Sequence, residues 1–236
     1  MGEARDHFSL LARSFCFLNT YTYMEIIPGI LEADVKELER KVTLVAPHVD
    51  TIQIDVGDNT IFPSDTVHDV ALLAPIIEKF TKTGTKFEAH LMVANPIPYL
   101  KPLADAGCAR VIAHVECHDP REFLAEARTH EMEVGLALDV ESDFELIEPY
   151  LEDVDFVLVM TIETGASGQD FESNALETIK TIHRNLPDLP IEVDGGMTPD
   201  TAKIVKEAGV TRLVTTSYLF NSEHTIADAI ASLQSE

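Results

Sequence analysis

A β-strand-like run followed by a helix-like run recurs eight times from residue 24 onward, and this repetition constrains the fold more than any other feature. Such alternation predicts parallel strands joined by right-handed helical crossovers. Eight units in 236 residues approach the roughly 250 residues typical of a closed (β/α)8 barrel. An open dinucleotide-binding sheet is disfavoured, because no GxGxxG motif follows the first strand. The sequence therefore predicts an α/β protein in which residues 24–236 form a single (β/α)8 TIM barrel.

The strands and the helix ends can be predicted from local sequence. The eight predicted strands are EIIPGIL, TIQIDVG, KFEAHLMV, ARVIAHVE, EVGLALDV, DFVLVMTI, IEVDGG and RLVTTSYLF. Four residues stand where helix N-caps are expected: Asp34, Asp65, Asp119 and Thr198. Three glycines stand where helices are expected to end: Gly84, Gly107 and Gly209. No linker or low-complexity segment divides the repeat, so we expect one domain.

Residues 1–23 precede the repeat and are predicted to be an N-terminal extension, either poorly ordered or a misassigned start. Arg13 and Ser14 interrupt the apolar run of this segment, which makes it a poor secretory signal. We expect the extension to contribute little to the core.

Composition limits the partners. The chain has 41 acidic and 17 basic residues and a net charge of -24, which argues against nucleic acid or an anionic membrane as a partner. No apolar stretch is long enough to cross a bilayer. The cysteines Cys16, Cys108 and Cys117 show neither the CxxC spacing of a metal site nor the density of a disulfide scaffold, as expected in a reducing compartment. We therefore expect a cytoplasmic protein.

Three predicted strands carry polar side chains on the face that should point into the barrel. With a period of two, these residues are Gln53 and Asp55, then Glu88, His90 and Met92, then Glu192 and Asp194. Burying an unpaired carboxylate costs several kcal/mol, so the set needs a common explanation. A metal ion or a reacting polar substrate provides one, because active sites of such barrels lie at the carboxyl ends of the strands. A satisfied structural network inside the barrel is the alternative.

Loops rich in small residues follow the last three strands. They read ETGASGQ, DGGMTPD and TTS. Backbone N–H groups in such loops can converge on an anion, and the loops after strands 7 and 8 often bind phosphate in barrels. The candidate phosphate or substrate contacts are Gly165, Gly168, Gly195, Gly196, Thr216 and Ser217. Each glycine cluster alone is equally typical of a turn.

From about Glu25 to the C-terminus the sequence resembles the ribulose-phosphate 3-epimerase family, a group of ribulose-phosphate-binding barrels. Seven blocks carry the resemblance in the same order as in the family: PGILEAD, QIDVGDNTIFPS, AHLMVANP, GCARVIAHVE, GLALDV, VLVMTIETGASGQ and IEVDGGMTPDTA. The resemblance implies interconversion of D-ribulose 5-phosphate and D-xylulose 5-phosphate, or of a related ketose phosphate, in a homo-oligomer.

The resemblance also implies residue roles. Asp55 and Asp194 match two catalytic aspartates, one of which removes the proton next to the ketone while the other returns a proton from the opposite face. One divalent metal ion (Zn, Fe, Mn or Mg) is held in the family by these aspartates and two histidines. His90 matches one histidine, but Gln53 stands in place of the other. An amide oxygen is a weaker ligand than imidazole for zinc, so we expect weakened metal binding.

Other departures concern the pocket. Gly29 replaces a family serine and Gly57 a family methionine, and both changes are expected to enlarge the pocket. Met92 and Met160 match family methionines, with core packing as an alternative role. Thr216 and Ser217 replace a Gly-Ser pair at the phosphate loop. His114 and Glu116 match a family block and are interpreted as structural.

Two other functions are considered. Related decarboxylases of this barrel type carry a D-x-K-x-x-D pattern, but Asp55-Val56-Gly57-Asp58 contains no lysine. The second is a sugar-phosphate-binding protein of the same fold that has lost catalysis. Gln53, Gly29 and Thr216 favour this binding protein. Asp55, Asp194 and His90 favour the enzyme.

Overall fold

The computed structural model describes residues 24–221 and 223–235, and its eight parallel strands form a closed barrel in sequence order. This confirms the predicted (β/α)8 TIM barrel. Every strand pairs with the next in parallel, and β8 closes on β1. The predicted extension, residues 1–23, lies outside the described residues. The strands are β1 (Glu25–Ile30), β2 (Thr51–Gly57), β3 (Lys86–Met92), β4 (Arg110–His114), β5 (Glu133–Leu138), β6 (Phe156–Met160), β7 (Ile191–Asp194) and β8 (Arg212–Thr215).

Helices cover the outside of the barrel. They are α1 (Val35–Val45), α2 (Val70–Thr81), α3 (Ile97–Asp105), α4 (Pro120–Ala127), α5 (Ala175–Asn185), α6 (Pro199–Ala208), α7 (Ser217–Phe220) and α8 (Ile226–Gln234). Two 3₁₀ turns, Phe144–Leu146 and Glu148–Tyr150, replace an α-helix after β5. The predicted strand RLVTTSYLF was too long, because the backbone turns into α7 after Thr215. No helix among the described residues is long and apolar enough to span a membrane.

The predicted helix caps are confirmed with one exception. The Asp34 carboxylate accepts bonds from Lys36 N and Glu37 N, and Thr198 forms a capping box at the start of α6. Asp119 likewise caps α4. Asp65 was the wrong residue, because it forms a β-bridge with Asp58 in the preceding loop and α2 begins only after Asp69.

The apolar core lies between the barrel and its helices. Along each strand, side chains that face the helices alternate with side chains that face the barrel interior. Residues such as Ile54, Leu91 and Val193 are buried on the helix side. On the interior side, polar residues of β1, β2, β3, β4, β5, β7 and β8 form two groups at different depths.

The deeper group, here called the interior ion cluster, comprises Glu25, Glu88, Arg110, Glu133, Glu192 and Arg212. Arg110 Nη1 donates to Glu88 Oε2 at 3.1 Å, and Arg110 Nε donates to Glu133 Oε2 at 2.9 Å. Glu88 and Glu192 were predicted to share the site face with His90 and Asp194. They do face the interior, but they belong to this ion cluster because arginines at the starts of β4 and β8 lie beside them.

Candidate active site

The second polar group lies at the carboxyl ends of β2, β3 and β7. Parallel pairing places Asp55 beside His90 and Gln53 beside Glu88. Since side chains of directly paired residues point to the same face, Asp55 and His90 reach the barrel mouth together. Asp194 is the last residue of β7 and enters the same space from across the barrel.

The Gln53 amide joins the two aspartates. Its Nε2 donates to Asp55 Oδ1 at 2.7 Å and to Asp194 Oδ2 at 2.8 Å. The Gln53 side chain is fully buried, and its Oε1 has no hydrogen-bond partner among the described residues. The sequence identified the replacement of a histidine by Gln53 but gave no indication that its amide would bridge both carboxylates.

His90 completes a cluster of three ligand-type side chains. Its Nδ1 lies 3.1 Å from Asp55 Oδ1 and 3.9 Å from Asp194 Oδ2. One ligand atom from each of Asp55, His90 and Asp194 lies within 4.8 Å of the others. Three protein ligands with an open position are the usual donor set of a catalytic metal ion, so this Asp–His–Asp cluster could hold one.

Burial and mutual charge shift the protonation of the cluster. Burial, together with the charge of Asp55, raises the pKa of Asp194 to about 7. Burial opposes a charge on His90, but the hydrogen bond to Asp55 and the charges of Asp55 and Asp194 outweigh it and raise the pKa of His90. A proton retained by Asp194 near neutral pH gives the site an acid beside the second carboxylate.

His114 lies directly behind His90, on β4. His90 Nε2 and His114 Nε2 are 2.8 Å apart, and His114 Nδ1 lies 3.3 Å from Glu116 Oε2. Burial lowers the pKa of His114 despite the neighbouring Glu116 carboxylate. The sequence assigned these two residues a structural role. One signal could have connected His114 and Glu116 to the site. With a period of two along β4, His114 shares the inward face of Arg110 and Ile112.

One pocket opens over the cluster and gathers most of the predicted site residues. Those lining it are Asp55, His90, Met92, Met160, Gly165, Gly168, Asp194, Gly195, Gly196, Thr216 and Ser217. The lining residues missed by the sequence are Leu31, Ile162, Ala166, Ser167, Met197 and Thr215. Gln53 lies beneath the pocket, bonded to its two aspartates. The roles assigned to all these residues remain predictions.

The expectation that Gly29 and Gly57 enlarge the pocket was wrong. A Cβ at Gly29 would lie 2.7 Å from Thr216 Oγ1, and one at Gly57 would lie 2.5 Å from Ser64 Oγ. Thr216 Oγ1 also donates to Gly29 O at 3.1 Å. A threonine and a serine therefore fill the space that side chains at the two glycines would take.

Two glycines after β7 are required by the backbone. Gly195 has φ of 114°, and a Cβ there would lie 2.3 Å from Ile162 Cγ1. Gly196 has φ of 65°, and a Cβ there would lie 2.6 Å from the backbone N of Phe171. Only glycine adopts this conformation in so little space, and the tight turn brings the start of α6 to the pocket edge.

Comparison with known proteins gives consistent results. A model of the ribulose-phosphate 3 epimerase family matches residues 25–220. Ribulose-phosphate 3-epimerase of Schizosaccharomyces pombe is 33% identical over 202 residues, covering 84% of this chain and 88% of that protein. The protein of the same name from Bacillus subtilis is 31% identical over 206 residues, covering 84% of this chain and 92% of its own.

Solved structures share the fold at lower identity. Orotidine 5'-phosphate decarboxylase from Pyrococcus horikoshii superposes with a TM-score of 0.64 at 16% identity, covering 89% of this chain and 97% of that chain. At this level of identity the structural similarity shows the fold alone, and the chemistry has to be argued from the residues of the site.

Proposed function

The chain belongs to the ribulose-phosphate 3-epimerase family, and on that premise we propose that it interconverts D-ribulose 5-phosphate and D-xylulose 5-phosphate. The observation that carries the proposal is the pairing of Asp55 and Asp194. They come from strands that are not neighbours in the barrel, line one pocket, and each accept a bond from the same Gln53 nitrogen.

The reaction needs an acid and a base on opposite faces of one carbon. The two epimers differ only at the carbon next to the ketone, whose hydrogen is acidic enough to be removed by a positioned carboxylate. One aspartate takes that proton, and the electron pair delocalises onto the ketone oxygen. The other aspartate, which starts protonated, then delivers its proton to the opposite face of the same carbon. Without a metal ion, burial and the charge of Asp55 raise the pKa of Asp194 to about 7, which makes Asp194 the aspartate that more readily starts protonated.

The donor set fits a divalent metal ion. The ligand atoms of Asp55, His90 and Asp194 converge. Gln53 Oε1, which has no hydrogen-bond partner among the described residues, offers a fourth donor atom. Rotation of that amide by half a turn would exchange Nε2 for Oε1 at the cluster. A divalent ion would stabilise negative charge developing on the ketone oxygen. Oxygen-rich donors suit Mg and Mn, and His90 also suits Zn and Fe.

The substrate phosphate is proposed to bind at the loops after β6, β7 and β8. These loops contribute Gly165, Gly168, Gly195, Gly196 and Ser217 to the rim of the pocket. Glycines keep side chains out of the way of backbone N–H donors, and the α6 N-terminus lies next to this rim. The chain's net charge of -24 does not oppose the site, since local N–H groups bind anions independently of distant charge.

Hydrogen exchange tests the proposal directly. The protein, supplied with Zn²⁺ or Mn²⁺, is incubated with D-ribulose 5-phosphate in heavy water, and NMR follows deuterium incorporation at C3 and formation of the xylulose epimer. Asp55→Asn and Asp194→Asn are expected to abolish epimer formation. Asp188→Asn is the matched control, because Asp188 is exposed in the turn before β7, at the end of the strand away from the site.

A wild-type protein that neither exchanges nor epimerises this substrate with any added metal would contradict the proposal. Binding of the sugar phosphate without exchange would instead identify a sugar-phosphate-binding protein that has lost catalysis.

A further inference from the structure

Two histidines and a glutamate form a row that runs from the Asp–His–Asp cluster to the end of β4. His90 Nε2 contacts His114 Nε2 at 2.8 Å, and His114 Nδ1 faces Glu116 Oε2 at 3.3 Å. His90 and His114 are buried, and the Phe62 ring lies 4.6 Å from the His114 ring, centroid to centroid. With so little access for water, each nitrogen of this histidine row depends on its protein neighbour for a hydrogen-bond partner.

The contact between the two rings contains one hydrogen. Two imidazole nitrogens 2.8 Å apart form a hydrogen bond only if one is protonated and the other offers its lone pair. Either His90 donates to His114, or His114 donates to His90. A histidine that binds a metal ion must be neutral, so it carries one hydrogen. For such a His90 the two arrangements leave opposite groups at Nδ1, which faces the aspartates: a lone pair in the first and a hydrogen in the second.

Glu116 selects between them. Its Oε1 accepts a bond from Asp139 N at 2.9 Å, and its Oε2 faces His114 Nδ1. A carboxylate only accepts hydrogen bonds, so Nδ1 of His114 must carry the hydrogen. An imidazole that carries its single hydrogen on Nδ1 has a lone pair on Nε2. His114 Nε2 is then bare and accepts from His90 Nε2.

We propose that Glu116 and His114 are positioning residues that hold the hydrogen of His90 on Nε2 and thereby present its bare Nδ1 to a divalent metal ion between Asp55 and Asp194. The inference rests on the proposed function, because it concerns the metal at that same site. Hydrogen bonds of this kind behind a ligand histidine orient the ring, and their loss typically weakens metal binding about 10- to 100-fold.

Glu116→Gln tests the selecting group with minimal change in shape. The Asp139 N–H still requires an oxygen at the Oε1 position, so the glutamine NH2 group would face His114 Nδ1. That contact reverses the direction of the hydrogen bonds along the row, so that His114 Nε2 donates to His90 Nε2 and the hydrogen of His90 moves to Nδ1. We expect the Kd for Co²⁺, measured by titration of its visible absorption, to rise about 10- to 100-fold. Glu126→Gln is the control, since it removes a carboxylate from the His130–Glu126 pair outside the site.

His114 is tested by two substitutions of similar volume. His114→Leu removes the acceptor for the His90 N–H, whereas His114→Gln places an amide oxygen near the position of Nε2. We expect the leucine variant to lose Co²⁺ affinity and the glutamine variant to regain most of it. Equal affinities for the two variants would indicate that His114 only fills space, and would overturn the inference.

Ring ¹⁵N NMR gives a readout that needs no catalysis. The inference requires His114 to be protonated on Nδ1 alone, and His90 to be protonated on Nε2 alone in the Zn²⁺-loaded protein. A hydrogen found on His114 Nε2 would refute it, as would wild-type Co²⁺ affinity in Glu116→Gln. Those results would leave the proposed metal site standing if the wild type binds Co²⁺ normally. A wild type that binds neither Co²⁺ nor Zn²⁺ would overturn both.

Discussion

Replacing Arg110 by methionine should destabilise the barrel strongly, because water cannot hydrate one of the carboxylates that Arg110 pairs with. Glu133 and Glu25 have side chains that are 50% and 27% exposed, so water can hydrate them when the arginine is gone. Glu88 is fully buried, and its Oε2 lies 3.1 Å from Arg110 Nη1. Its Oε1 has no hydrogen-bond partner in the part of the chain that the structure describes. Breaking a buried ion pair by removing one member costs about 3–5 kcal/mol.

For a domain of this size that loss corresponds to a drop in Tm of about 6–20 °C. Thermal and urea unfolding followed by circular dichroism would measure it. Lys101→Met is the control, since Lys101 and Asp105 form a surface pair with side chains 70% and 66% exposed. Surface pairs of this kind contribute about 0–1 kcal/mol.

The loss should also depend on pH. Burial outweighs the attraction of Arg110 and raises the pKa of Glu88 above the usual glutamate value of about 4.5. The folded state then keeps a proton that the unfolded state has already lost, so stability falls as pH rises above that value. Removal of Arg110 raises the pKa further. We therefore expect Arg110→Met to be closer to wild type at pH 5 than at pH 8.

The double variant Arg110→Met with Glu88→Met separates the ion pair from packing. Replacing both members of a buried pair by apolar side chains is often neutral or stabilising, so most of the lost stability should return. If Arg110→Met alone unfolds within about 1 kcal/mol of wild type at pH 8, a difference typical of exposed pairs, Glu88 does not depend on this arginine and the reasoning is refuted.

Three further predictions concern the turn after β7, the start of α6 and the charge of the whole chain. Gly195→Ala should raise the KM for the sugar phosphate and lower Tm, because the new methyl group would lie 2.3 Å from Ile162 Cγ1 at a φ of 114°; an unchanged KM and Tm would contradict the turn geometry. Thr198→Ala removes the capping box of α6 and should cost about 0.5–2 kcal/mol in urea unfolding, and no loss would show that the cap contributes nothing. Raising KCl from 0.1 to 1 M shortens the screening length from about 10 to about 3 Å. With a net charge of -24, Tm measured by scanning calorimetry should therefore rise, and a flat or falling Tm would show that charge repulsion is not limiting.

Local sequence determined the order of the elements and most of their ends. The period of two along each strand and the N-caps Asp34, Asp119 and Thr198 depend only on residues a few positions apart, so they could be predicted. The prediction failed where local signals were ambiguous. The run after β8 is apolar enough for a strand, yet it continues as α7, because an apolar run this short does not separate strand from helix.

The sequence also determined which side chains face the barrel interior, and it identified Asp55, His90 and Asp194 as the candidate ligands. It could not determine depth. Glu88 and His90 lie on one face of β3, two residues apart, yet Glu88 joins the interior ion cluster and His90 joins the site. Which neighbours each residue meets depends on the tilt of the strands and the register of the closed barrel, which no single strand encodes.

Only the tertiary structure placed the Gln53 amide between two aspartates and His114 behind His90. The bonds of Gln53 to Asp194 and of His90 to His114 join residues 141 and 24 positions apart. The first contact depends on closure of the barrel, because β2 and β7 are not neighbours, and the second depends on the pairing of β3 with β4. Together they bring the inward faces of β2, β3, β4 and β7 to one point. Alternation within each strand is a local property of the chain, whereas this convergence exists only after all eight strands have paired.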